Sequence, residues 1–278
     1  ATGANTNLTL GAITRALGGT LNVNLPTGGA VNVTGADGLI GGWANVNGNT
    51  FATLSSGALA GLSAGSYTAN TWTAGATVDA TTSSLPTADS TINAFRVNAP
   101  AIVTLAGLNT ITSGGILVGN GLSTGLAALN GGQLTAGVAG SANELIVSQQ
   151  NTGSVFSLGS ALVDNGAGVT SLTKSGNGTL ALTGISTLSG VIRVNSGTLQ
   201  LDSSKISTSL AGANLYSSNL VNLAATINVA QGATLAVVRA DGLVRLQNAV
   251  TGSGTIVLDP HTAAGTTGID STNWILAG

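Results

Sequence analysis

One phrase limits this chain more than any other. Gly178-Thr179-Leu180-Ala181-Leu182 recurs as Gly197-Thr198-Leu199-Gln200-Leu201 and as Gly254-Thr255-Ile256-Val257-Leu258. Alternation of apolar and polar residues sends one side chain inward and the next outward, which is the habit of a strand. Leu180 and Leu199 stand 19 residues apart, as do Leu182 and Leu201, and Leu235 stands 21 before Ile256. A hairpin would repeat sooner. A period of about 20 residues suits one turn of a solenoid, whose strands stack in parallel on the turns above and below.

The same alternation runs through "TLNVNL" (20–25), "AVNVT" (30–34), "ELIVS" (144–148), "VIRVN" (191–195) and "TINVA" (226–230). Gly, Asn and Ser punctuate these runs, and no amphipathic helical stripe interrupts them. The chain is therefore read as all-β, in three parts. Residues 1–36 supply N-terminal solenoid turns. Residues 37–98 form an irregular, loop-rich lobe that holds five of the eight aromatics. Residues 99–278 form the regular solenoid, with its clearest repeat at 172–202.

Charge narrows the partners. Only 6% of residues are charged and the net charge is −2. No basic stripe exists to meet a phosphate backbone, so nucleic acid is excluded as a partner. No apolar run reaches the length of a membrane-spanning helix. Cysteine is absent, which removes disulfides and thiolate metal sites, and no cofactor motif occurs. Methionine is absent too, so the sequence reads as a processed product or an excerpt. The few Lys and Arg leave little for trypsin-like proteases, which suits life outside the cell.

Leu172 through Gly184, "LTKSGNGTLALTG", followed by Val194 through Leu201, "VNSGTLQL", resembles the autotransporter-associated β-strand repeat, or passenger-associated transport repeat. Leu188 stands where that family has Tyr, and Val191-Ile192 where it has Gly-Thr, so this copy is more apolar, as though its face were covered. The resemblance implies a right-handed parallel β-helix in a bacterial secreted or surface-displayed protein. It implies no particular activity.

Catalytic patterns are thin. Gly-x-Ser-x-Gly occurs at 61–65 and 121–125, but His261 is the only histidine and no strand–turn–helix context surrounds either serine. Acidic residues are scattered singly, whereas a glycosidase needs two neighbouring carboxylates. Arg239, Asp241 and Arg245 form the one charged cluster, read as a solvated edge. Calcium-loop spacing is missing. The sequence thus argues for a non-enzymatic fibre, filament or stalk module. An adhesin binding glycans, such as cell-surface polysaccharide, is the alternative, and a polysaccharide-cleaving enzyme comes third.

Two sets of contact residues follow. Neither terminal segment carries a helical cap or a charge cluster, and an uncapped solenoid end must meet another. Leu8, Leu10, Trp274, Ile275 and Leu276 are the expected stacking positions for head-to-tail self-association. Trp43, Tyr67 and Trp72 are the expected platform for a glycan or other partner.

Overall fold

The computed structural model describes residues 7–122, 125–202, 215–216, 221–222, 224–239 and 244–260. It bears out the all-β reading: strands dominate, and a single 3-10 turn at Ala64–Ser66 is the one helical element among the described residues.

The main body is a parallel β-helix with three walls, of nine, seven and four strands. Its repeat phrases stack in register, as their sequence spacing requires. Thr179, Thr198, Thr234 and Thr255 form one column, and Leu180, Leu199, Leu235 and Ile256 the next. Leu182, Leu201, Val237 and Leu258 form a third, two residues on. The inward columns of the nine-stranded wall hold Val78, Phe95, Ile116, Val147, Val194 and Val229. All belong to one continuous apolar core. Burial of such columns, at about 25 cal/mol per Å² of apolar surface, holds successive turns together alongside their backbone hydrogen bonds. Turn length varies more than the repeat phrase suggests. Leu180 pairs with Leu199 after 19 residues, but Leu199 pairs with Leu235 after 36, because a long excursion lies between them. Nine stacked strands at about 4.8 Å spacing make a wall about 38 Å long.

The segment before this body is ordered differently from expectation. Strands β1 (Asn7–Ala12), β2 (Leu21–Val23), β3 (Ala30–Thr34), β4 (Gly38–Leu39) and β5 (Ala44–Val46) build a second, short solenoid. β1 pairs in parallel with β3, Asn7 facing Ala30, and β2 with β5, Leu21 facing Ala44. Both offsets are 23 residues, so 7–29 and 30–52 are successive turns. Val31, Val33, Ala44, Val46, Ala52, Leu54 and Leu59 fill its own small core.

A hairpin ends this solenoid. β6 (Thr50–Ser55) and β7 (Ala58–Gly61) are joined by Ser56 and Gly57, both at positive φ, as a two-residue turn of the I′ type demands. β6 runs antiparallel along β5, and β7 antiparallel to β3. The hairpin therefore lies across both walls where a third turn would stack, and its strands spend their edges on each other.

The main helix then starts afresh with β8 (Thr68–Ala69) on the outer edge of β9 (Thr77–Ala80). Between them Trp72 turns into the core, only 6% exposed, its ring 5.3 Å from that of Phe95. Asn70, at positive φ, ties this turn down: its Oδ1 accepts from the N–H of Thr81 and Thr82 at 2.8 and 3.0 Å. Trp72 is the plug of the first turn. The break in the chain's organisation thus falls at 62–76, not at 37 and 98; Thr91–Ile92 and Ala94–Val97 are regular strands of the main helix.

Candidate functional site

The short solenoid lies against the outer face of the nine-stranded wall, and the polar chemistry of the molecule concentrates in that seam. Glu144 is its anchor. It pairs with Arg15, accepts from the N–H of Gly18 at 3.0 Å, and accepts from the hydroxyl of Thr173. Asn195 donates to the carbonyl of Gly18 at 2.7 Å. One turn later, Asn45 donates to Ser148 at 3.0 Å, and Asn120 donates through its backbone and side chain to Gly48 and Asn47. Gly42 and Gly115 bring the two backbones so close that a methyl on either would collide with the other. At the hairpin level, Phe51 is buried against Ala94 and Leu117. Leu188 and Ile192, the apolar replacements in the repeat, lie in the main core and not in this seam.

The expected glycan platform is taken up by the same seam. Trp72 is core. Tyr67 has the guanidinium of Arg96 3.6 Å above its ring, and its hydroxyl lies 2.8 Å from that of Thr50 while accepting from the N–H of Phe51 at 3.1 Å. Arg96 is paired in turn with Asp79 through two bonds of 2.6 and 3.0 Å. Burial disfavours its charge, but Asp79 and Tyr67 outweigh that and hold its pKa above the ordinary value. Trp43 is half-buried, with Arg15 5.8 Å over its ring. Trp43 thus also lies beneath an arginine that is itself paired, here with Glu144, and keeps part of its surface open.

The described carboxylates are occupied in holding loops. Asp37 accepts from the N–H of Ser56, Asp89 from that of Leu108, and Asp164 from Thr170 and Ser189. Ser63, centre of the first Gly-x-Ser-x-Gly, is an exposed residue whose hydroxyl meets Ser66 at 2.9 Å. Among the described residues no three His, Cys, Asp or Glu side chains gather around a metal-sized space, and no helix is long and apolar enough to cross a membrane. His261, Asp241, Trp274, Ile275 and Leu276 lie outside the described residues.

One charged group was not anticipated. Lys174 occupies the inward column between Val147 and Val194, fully buried. Its Nζ donates to the carbonyls of Ser175, Gly176 and Ser196 at 3.0, 2.7 and 2.8 Å, joining the corner of its own turn to the corner of the next. Burial pulls its pKa down to about 7. The signal was in the alternation: Leu172 points in, Thr173 out, and Lys174 must point in again.

Leu8 and Leu10 prove to be core-column positions of the short solenoid. They face Val31 and Val33, which are buried, yet are themselves 49% and 40% exposed. They do not sit on the end of the main helix, which Trp72 closes.

Residues 172–201 match the model of the passenger-associated-transport-repeat. The chain thus carries a passenger-associated transport repeat. A curated relative, the adhesin BmaC autotransporter of Brucella suis biovar 1 (strain 1330), is 32% identical over 211 residues, which cover 71% of this chain. The chain spans 6% of the length of that relative. No solved structure matches the chain. The repeat and the relative together make this an extracellular or cell-surface protein. Within the passenger-associated transport repeat itself, Lys174 and the Thr179–Leu182 phrase build the rod.

Proposed function

We propose that this chain is a non-enzymatic, rod-building segment of a surface-displayed adhesin, stacked on neighbouring solenoid turns. The observation that carries the reading is the use made of the polar groups. The described Asp37, Asp79, Asp89, Glu144 and Asp164 each fix a loop, a neighbouring strand or the seam, while apolar columns, broken at one level by Lys174, run the length of the body. A cleaving enzyme on this fold needs two carboxylates poised together and free to move protons. The similarity to an adhesin supports the setting at the surface.

The purified chain is the test. Small-angle scattering should report a stiff, elongated body with a wall length of about 38 Å, and incubation with bacterial and host polysaccharides should leave them intact. Release of reducing or unsaturated sugar ends would sink the reading.

The alternative, recognition of glycans such as surface polysaccharide, or of a host surface, through residues 37–98, keeps one support: the half-open ring of Trp43 beside Arg15. A glycan-array signal lost on Trp43→Ala, with the fold intact by circular dichroism, would favour it.

A further inference from the structure

The two solenoids run in opposite senses. The first turn of the short one, at Arg15 and Gly18, meets Glu144, Arg193 and Asn195, far along the main helix. Its second turn meets Ser148, Gly115 and Asn120, nearer the start. Its hairpin meets Ala94 and Arg96, and β8 then opens the main helix. The chain therefore travels down one rod, turns at 62–76, and climbs back up another.

One end of this pair is closed. The β6–β7 hairpin blocks the short rod and Trp72 plugs the long one. Among the described residues the opposite end shows no such closure on either rod. β1 is hydrogen-bonded to β3 on one side only among the described residues, and all six of its residues are exposed. At the far end of the main helix, Ile256 and Leu258 are only partly buried, whereas Leu199 and Leu201 in the same columns are wholly so.

We propose that the β1 edge receives, in parallel register, a further turn of solenoid from the same polypeptide, so that two antiparallel rods lie side by side and this chain is their closed tip. Two observations choose that occupant. Leu8 and Leu10 continue the Val31 and Val33 columns, so an alternating apolar strand offset by one 23-residue turn covers them in the manner already seen between β1 and β3. The established seam also has room to continue. The outward column Thr173, Arg193, Asn228, Thr251 is covered by Gly18 as far as Arg193, while Asn228 and Thr251 beyond it stay half-exposed. A further turn of the short rod lies over them. A second molecule pairing through β1 would need no such continuity. The inference goes beyond the rod-building reading by assigning the rod a reversal and a tip, and its test reads neither adhesion nor catalysis.

The test grafts a copy of residues 7–29, one full turn, ahead of residue 7 in the complete chain. Hydrogen exchange across residues 7–12 is then compared with the unextended protein. The expected result is at least about tenfold slower exchange in β1, with residues 50–61 unchanged. A cysteine placed by Asn228→Cys, in a chain that has no other, should react with maleimide several-fold more slowly once the turn is added. Leu8→Asp with Leu10→Asp in the extended chain should restore fast exchange. Unchanged exchange in β1 overturns the proposal, whether the added turn stays unfolded or folds elsewhere. So does β1 protection in the unextended chain that rises with protein concentration, which assigns the edge to a second copy. Protection of β1 without slower labelling at position 228 overturns the side-by-side arrangement.

Discussion

Replacing Lys174 by Met should change stability in opposite directions at the two ends of an accessible pH range. Met fills the column between Val147 and Val194 with a chain of similar length and no charge. The wild-type ammonium titrates at about 7 in the fold against 10.5 in an ordinary setting. That gap corresponds to about 5 kcal/mol, at 1.36 kcal/mol for each pH unit. Above pH 10.5 the amine is neutral in both states and the penalty vanishes. Between 10.5 and 7 the unfolded chain binds a proton that the folded chain does not, so stability falls as pH falls. Below 7 both states carry the charge and the full penalty stands. Against it are set the hydrogen bonds to the Ser175, Gly176 and Ser196 carbonyls, of which a neutral amine can donate two, worth about 1 kcal/mol each. Lys174→Met should therefore be less stable than wild type by about 2 kcal/mol near pH 10.5 and more stable by about 3 kcal/mol at pH 6. Urea denaturation followed by far-ultraviolet circular dichroism at pH 6, 7, 8, 9 and 10.5 measures the difference. A difference that stays flat across the series, or a variant that is the weaker protein at pH 6, would falsify the reasoning.

Trp72→Ala should cost about 3–5 kcal/mol, because it opens the plugged end of the core, whereas Trp72→Phe should cost far less, since the indole N–H is buried without a partner; thermal melts of both variants decide. Gly115→Val should force the short solenoid off the main wall while leaving the main columns stacked, so limited proteolysis should cut within residues 13–62 and spare the rest. Acid should loosen the loop that Asp164 holds. Burial opposes its ionisation, but bonds from Ser189 and Thr170 outweigh that and keep its carboxyl below the ordinary 3.8. The contribution is present above 3.8 and disappears as pH falls through the lowered value. Hydrogen exchange of Thr170 and Ser189 should then accelerate in acid, and Asp164→Asn should exchange rapidly at neutral pH too.

The stacking of the main helix was legible because its determinants are local. Alternation fixes which side chains point inward, and the recurrence of Thr followed by Leu or Ile marks the residues that stack, Leu180, Leu199, Leu235 and Ile256, whatever the length of chain between them. Lys174 was missed because a charged residue is read as outward-facing, although its own alternation put it inside. The 23-residue offset of Leu8 from Val31 was present in the sequence too, but two turns make a weak repeat, and β2 is only three residues long. The reversal at 62–76 depends on contacts across long separations, such as Gly18 to Glu144 and Phe51 to Leu117, which no local pattern encodes. Caps were sought at the chain's outer segments, whereas the plug is an internal tryptophan. The aromatics stood out as unusual, and their roles divide: Phe51 and Tyr67 join one rod to the other, while Trp72 and Phe95 fill the main core.

The opposed axes of the two solenoids have a mechanical consequence. In each rod the backbone hydrogen bonds between turns lie along the rod. A pull on the closed end therefore strains two ladders at once, one through β3 and β5 and one through the nine-stranded wall. Because the Arg15–Glu144 ion pair and the bond from Arg96 to the Asn49 carbonyl clamp the rods at two levels, neither ladder can lengthen without shearing both. Load at that end is shared, and the turn that carries it is the one stoppered by Trp72.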